Sequence, residues 1–144
     1  MFDELTKYKH NDHFFFEANQ KLIEVCNAPT DKSGVYLIYK LAKGRVELIY
    51  IGASGQKNKD GTIKTRTAGL GGLKDRLVNE KQFGGARKVT FSLVMKLQKI
   101  DALDIYWYVT HDNNHKNFPR DIEAMLIEKF HSIYGRLPEW NKEF

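Results

Sequence analysis

Two tyrosines, one arginine and one glutamate are the residues of this chain whose types and spacing point most directly to chemistry. Tyr36 and Tyr50 stand in Gly34-Val35-Tyr36 and Tyr50-Ile51-Gly52, inside the run GVYLIYKLAKGRVELIYIG of residues 34–52. If both side chains project from one face of a sheet, their hydroxyls could face something reactive. Arg76, in Leu73-Lys-Asp-Arg-Leu77, offers a planar guanidinium suited to gripping a phosphate. The plainer reading is a surface pair with Glu80 at i,i+4, worth little. Glu123 is the most telling of the four. At about 100° per residue it falls inside the apolar stripe of Ile122, Leu126, Ile127, Phe130, Ile133 and Tyr134, whereas Glu128 and His131 fall outside it. An unpaired carboxylate on such a face is costly and calls for a lysine, an arginine or a metal. Its competitor is a partly exposed first-turn carboxylate that favours the helix dipole.

The elements that must position these residues are legible in outline. Phe15, Leu22, Val25 and Cys26 recur near helical spacing and predict a helix over 13–27, closed by Pro29. Runs 34–40 and 46–52 predict a hairpin about a three-residue loop, 42–44, in a type I turn closed by a left-handed residue. That register pairs 41 with 45 and sets Tyr36 opposite Tyr50, on one face. The commoner reason for such tyrosines is packing in a half-buried sheet. Residues 53–70 read as a long polar loop, of a length usually kept for function or disorder. A short helix follows at 72–82, with Leu73, Leu77 and Phe83 on its apolar side. Residues 89–100 suit helix or strand, 104–110 form a strand, and Pro119 opens a helix to about Tyr134. With no internal repeat or linker between them, these elements predict one α+β domain over 1–144.

Composition narrows the class. The 144 residues are 42% hydrophobic and 28% charged, ordinary for a globular domain with its own core. The single cysteine, Cys26, excludes an internal disulfide and a multi-cysteine zinc site, and a reducing cytoplasm fits best. The N-terminus does not read as a signal peptide, and no apolar run reaches the ~20 residues of a membrane span. The net charge of +5 is unevenly spread: residues 40–99 hold ten lysines and four arginines against four acids, a local +10, while the first 39 residues come to −2 and the last 45 to −3. Such a middle segment suits a polyanion, with nucleic acid the obvious candidate. Weaker signals carry less. Gly69-Leu-Gly-Gly-Leu-Lys74 lacks the strand and spacing of a phosphate loop. Gly52-Ala-Ser-Gly55 is not a nucleophile elbow. The pairs His10/His13 and His111/His115 read as solvated loop histidines.

Together these segments resemble the GIY-YIG nuclease superfamily. The match runs from Gly34-Val35-Tyr36 and Tyr50-Ile51-Gly52 through Leu73-Lys-Asp-Arg-Leu77 and Ile122-Glu-Ala-Met-Leu-Ile-Glu-Lys-Phe130 to Pro138-Glu-Trp-Asn141. It covers roughly residues 33–141, and the last motif brings the restriction endonucleases of the superfamily closest. The resemblance implies a small, mainly antiparallel three-stranded sheet flanked by helices over 33–141, with 1–32 as an added N-terminal helical extension. It implies an endonuclease cutting DNA phosphodiesters with one divalent metal, Mg²⁺ by ligand type. Tyr36 would be the general base, Tyr50 would position water or phosphate, Arg76 would stabilise the pentacovalent phosphate, Glu123 would hold the metal and Asn141 would support the site. Lys57, Lys59, Lys64, Arg66, Lys74 and Lys81 are the candidate DNA contacts. Val35 replaces the first isoleucine of the family pattern, the gap between the two triplets is slightly long, and two further positions depart from it. Glu80 stands where many members carry His or Tyr, and Ala53 where lysine is frequent, so Lys57, Lys64, Lys74 or Lys81 would supply the second proton carrier. Cutting both strands would require a homodimer or two successive encounters. The alternative function is a nucleic-acid-binding module that keeps the fold without cutting.

Overall fold

In the computed structural model, which describes residues 1–143 and the side chains of residues 1–141, the chain runs β1 (Asn11–Phe16), α1 (Leu22–Val25), β2 (Ser33–Ala42), β3 (Arg45–Ser54), β4 (Gln56–Lys57), β5 (Ile63–Lys64), α2 (Gly72–Asn79), β6 (Lys81–Gln82), β7 (Gly85–Ala86), α3 (Arg87–Gln98), β8 (Ala102–His111) and α4 (Pro119–Tyr134). Short 3-10 turns occupy Asp3–Leu5 and Glu139–Glu143. The fold is α+β, with an antiparallel sheet in the order β1-β8-β2-β3.

That sheet has four strands where three were expected, and the fourth comes from the segment read as an N-terminal helix. Phe14 and Phe16 are buried while Phe15 is 52% exposed, a period of two rather than 3.6. Residues 11–16 therefore pair with β8, Phe14 opposite Ile105 and Phe16 opposite Leu103. Only Leu22–Val25 turn as a helix. The central hairpin closes more tightly than expected. Ala42 pairs with Arg45 across a two-residue turn, and Lys43 and Gly44 both take positive φ, 53° and 73°, as a type I′ turn requires. A bulge between Ile38 and Tyr39 then shifts the register, so Tyr36 opposes Gly52 and Tyr50 opposes Ile38. The two tyrosines stay on one face, but diagonally.

Both faces of the sheet are covered. On one, Tyr36, Ile38, Ile49, Ile105 and Trp107 pack with Leu73 and Leu77 of α2, Phe91 and Met95 of α3, and Trp140. On the other, Val35, Leu37 and Ile51 meet Leu126 and Phe130 of α4 together with Leu5 and Tyr8. The apolar stripe of α4 is narrower than its sequence suggests, since Ile133 and Tyr134 are exposed. The segment that suited helix or strand is α3, and the 53–70 stretch holds the end of β3 and the small β4–β5 ribbon. No helix among the described residues is long and apolar enough to cross a membrane.

Candidate active site

The site is built at the outer edge of β3, where the α2–α3 layer and the first turn of α4 come together. Its two motif glycines are places of close approach. A side chain at Gly52 would run into the Tyr36 ring, and one at Gly34 into the Tyr108 carbonyl of β8. With Gly52 bare, the Tyr36 and Tyr50 rings stack with centroids 6.0 Å apart and planes 24° apart.

Arg87, the first residue of α3, lies over this pair. Its guanidinium carbon is 5.2 Å from the Tyr36 ring centroid, 5.1 Å from that of Tyr50 and 5.6 Å from that of Phe91. Nη1 donates to the Tyr36 hydroxyl at 2.8 Å and to the Arg76 carbonyl at 3.0 Å, and Nε donates to Gln82 Oε1 at 2.9 Å. All three acceptors are neutral, although Arg87 is only 1% exposed.

Arg76 approaches from α2. Its Nη1 is ion-paired with Glu80, and its buried Nε has no partner among the described residues. Burial works against its charge, but the Tyr36 and Glu80 oxygens more than offset this and hold the guanidinium above its ordinary pKa. Burial, with Tyr36 alongside, pushes the Tyr50 phenol far above its ordinary range, although Arg87 and Arg76 pull the other way. Tyr50 is thus a proton donor at neutral pH. Burial also raises the Glu123 carboxyl, against the attraction of Arg120 and Arg76. Glu123 enters none of the ion pairs among the described residues.

Beside these groups lies a cationic cleft of about 250 Å³, lined among others by Ala53, Ser54, Lys64, Arg66, Arg76 and Arg120. Arg76 links the two regions, lining the cleft while facing Tyr36 and Tyr50. Tyr36 itself has 0% of its surface exposed and does not line the cleft. Tyr50 and Glu123 do not line it either, although the two tyrosine rings share one face of the sheet as the sequence places them.

The remaining candidates divide. Lys64 and Arg66 line the cleft, but Arg66 is also tied to Asp75 at 2.6 Å and Glu80 at 3.4 Å. Lys57 sits over Phe118 at 4.9 Å, beside Arg120 in an adjoining depression. Lys59 is exposed on the connection between β4 and β5. Lys74 faces Cys26 and Lys81 lies exposed on β6; neither lines the cleft. Asn141 is fully buried and does structural work. Its Nδ2 donates to the Ile51 carbonyl and its Oδ1 accepts from the Ile51 N–H, each at 3.0 Å. Since β3 is an edge strand, Asn141 satisfies backbone groups that no neighbouring strand can reach.

Sequence reasoning missed Arg87 and Arg120. Arg87 could have been found from its spacing, because Arg87, Phe91 and Met95 lie four apart and share the buried face of α3. Arg120 is placed by Pro119, which starts α4 and leaves the next side chain at the cleft. No group of three or more His, Cys, Asp or Glu side chains among the described residues is placed to hold a metal. A metal held here would rest on Glu123 alone. One partly desolvated carboxylate that enters no ion pair among the described residues fits Mg²⁺, which keeps several waters and takes substrate oxygens. Comparison with protein-family models, with curated proteins and with solved structures returns no match for this chain.

Proposed function

We propose that the chain is a metal-dependent endonuclease that hydrolyses DNA phosphodiester bonds, as the GIY-YIG nucleases it resembles do. The observation that carries this reading is the half-buried Glu123 carboxylate, outside every ion pair among the described residues, within electrostatic reach of Tyr50 and Arg76 beside a cationic cleft. Lys64 and Arg120 receive the DNA backbone, and Arg76 turns from Glu80 toward the scissile phosphate. Tyr36 is fully buried, so the reading requires this motion of Arg76 to open a path for water to the Tyr36 oxygen. Tyr36, having given its own proton to solvent, takes a proton from water as the water oxygen bonds to phosphorus and the bond to the leaving oxygen breaks. Lys64 returns a proton to that leaving oxygen. Tyr50, kept protonated by burial, donates a hydrogen bond to the water or a phosphate oxygen. Glu123 would hold one Mg²⁺, which when bound neutralises phosphate charge. The compartment in this reading is the cytoplasm, and a double-strand cut takes a homodimer or two encounters.

Supercoiled plasmid tests the reading. The purified chain nicks it with Mg²⁺ and not with EDTA, and Glu123→Ala and Tyr36→Phe each lower the rate by at least about 100-fold, the scale of a general base or metal ligand. One observation favours the non-cleaving alternative: Glu80 occupies Arg76 through an ion pair where the resemblance expects a proton carrier. Salt-sensitive DNA binding without nicking, unchanged in Glu123→Ala, would establish that alternative. Absence of any DNA binding would remove both.

A further inference from the structure

We infer that Arg87 is a positioning residue for Tyr36, holding the phenol oxygen in place and supplying the positive charge that faces it. The inference deepens the nuclease reading and rests on Tyr36 as the proton acceptor. A buried guanidinium costs several kcal/mol in desolvation unless an anion answers it. Arg87 is 1% exposed, and its partners are an amide oxygen, a backbone carbonyl and a phenol. The nearest acid along its ribbon, Glu80, is engaged by Arg76 and Arg66. Packing alone does not require this charge, because Met or Leu would fill the space among Tyr36, Tyr50 and Phe91.

The geometry gives the charge a use. Guanidinium groups only donate, and Arg87 donates to the Tyr36 oxygen while Arg76 faces the same oxygen. Tyr36 cannot donate to either guanidinium, so its own proton must point elsewhere, and a negative charge on that oxygen meets two cations. Gln82 fixes Arg87 in turn. Its Oε1 accepts from Arg87 Nε at 2.9 Å and its Nε2 donates to the Trp140 carbonyl at 3.5 Å. The C-terminal Glu-Trp-Asn segment thereby reaches Tyr36 through Gln82 and Arg87, without touching the cleft.

The test uses the full-length chain and the variants Arg87→Met, Arg87→Lys, Tyr36→Phe and Tyr36→Phe/Arg87→Met. With plasmid and Mg²⁺, Arg87→Met lowers kcat by about 100-fold, the scale of a general base losing its support. KM moves by less than about threefold, because Arg87 does not reach the cleft. Arg87→Lys recovers about tenfold, since it restores charge without the guanidinium fork. Placed on Tyr36→Phe, Arg87→Met adds no further loss. A further loss as large as its single effect would overturn the inference, as would a loss in KM rather than kcat. Arg87→Met orphans no carboxylate, so thermal melting should find it folded; should it unfold, Arg87→Lys carries the same test. A second readout needs no activity. In ¹⁵N-arginine side-chain NMR, the slowly exchanging guanidinium signal absent from Arg87→Lys moves in Tyr36→Phe. If the wild-type chain cuts no DNA, the nuclease reading fails and this signal decides the positioning alone. A signal indifferent to Tyr36→Phe overturns it.

Discussion

Two carboxylates of this fold, Asp75 and Glu123, are treated in opposite ways. Asp75 is almost fully buried, yet Asn79, the Leu70 N–H and Arg66 donate to it. Burial alone would raise its carboxyl, but these donors outweigh burial and hold it below the usual carboxylate range. Glu123 is half-buried without such donors, and burial holds its carboxyl above the usual range. The signs follow by linkage. A carboxyl raised by folding binds protons better in the folded state, so its ionised form costs stability. The cost is absent below the unfolded value of about 4.3, grows as pH climbs toward the raised folded value, and is full above it. Glu123→Gln removes that cost. We expect it to raise the melting temperature at pH 7 by about 2–4 °C, corresponding to roughly 1 kcal/mol for a chain near this size, and to give no gain at pH 4. Mg²⁺ should raise the melting temperature of the wild type and leave that of Glu123→Gln unmoved. A variant less stable than wild type at pH 7 would mean that the carboxylate has a structural partner after all.

At the scale of elements, the hairpin is the part that sequence placed best, and its errors are instructive. Its strands were legible because β-branched and aromatic residues gather on both sides of a glycine turn. The register was not, because a bulge leaves no compositional trace. The type I′ turn was missed because Lys43 takes a positive φ that lysine seldom adopts. The N-terminal helix failed for another reason: Phe14 and Phe16 alternate with exposed Phe15, and that short period was masked by the helical spacing of Leu22, Val25 and Cys26. On α3 the apolar residues do not mark the buried face. Val89, Leu93 and Leu97 are 57%, 56% and 82% exposed, while the buried face carries Arg87, a residue that hydrophobic periodicity discounts. Tyr36, Tyr50, Arg76 and Glu123 were legible as types at spacings. That Tyr36 lies behind Arg76 was not, because it depends on how α2 and α3 close over the sheet. The hairpin carries its own prediction. Gly52 lies under the Tyr36 ring, so Gly52→Ala must push that ring or β3 aside. Overpacking of this kind costs about 1–3 kcal/mol, read as a lower urea midpoint with an unchanged slope. In the proposed mechanism nicking should fall more than stability does, because the displaced group would be the proton acceptor. Unchanged nicking in a destabilised Gly52→Ala would separate Tyr36 from the reaction.

At the scale of the molecule, the charge excess of residues 40–99 overstates what a nucleic acid would meet. Arg87 is buried, Arg66 and Arg76 are held by Asp75 and Glu80, and Lys40 pairs with Glu139 and Glu47. The cations that line or border the two adjoining depressions and enter no ion pair among the described residues are Lys57, Lys64 and Arg120, with Lys59 close by on the β4–β5 connection. Arg120 comes from the acidic last third of the sequence, so the cationic cleft is assembled by folding and not by the basic segment alone. The number of phosphates neutralised sets the salt dependence of DNA binding, with a slope of about −0.9 per phosphate in log K against log salt. Four such contacts give a slope of roughly −3 to −4. Lys64→Ala/Arg120→Ala should bring it to about −2 and weaken binding evenly across sequences, since phosphate contacts position DNA without reading bases. Lys74→Ala/Lys81→Ala, matched in charge but away from the cleft, should leave the slope near the wild-type value. Fluorescence anisotropy with a labelled duplex, titrated at several salt concentrations, measures all three slopes. If Lys74→Ala/Lys81→Ala lowers the slope as much as Lys64→Ala/Arg120→Ala, DNA lies along α2 and β6, and the cleft beside Glu123 is not where the phosphate sits.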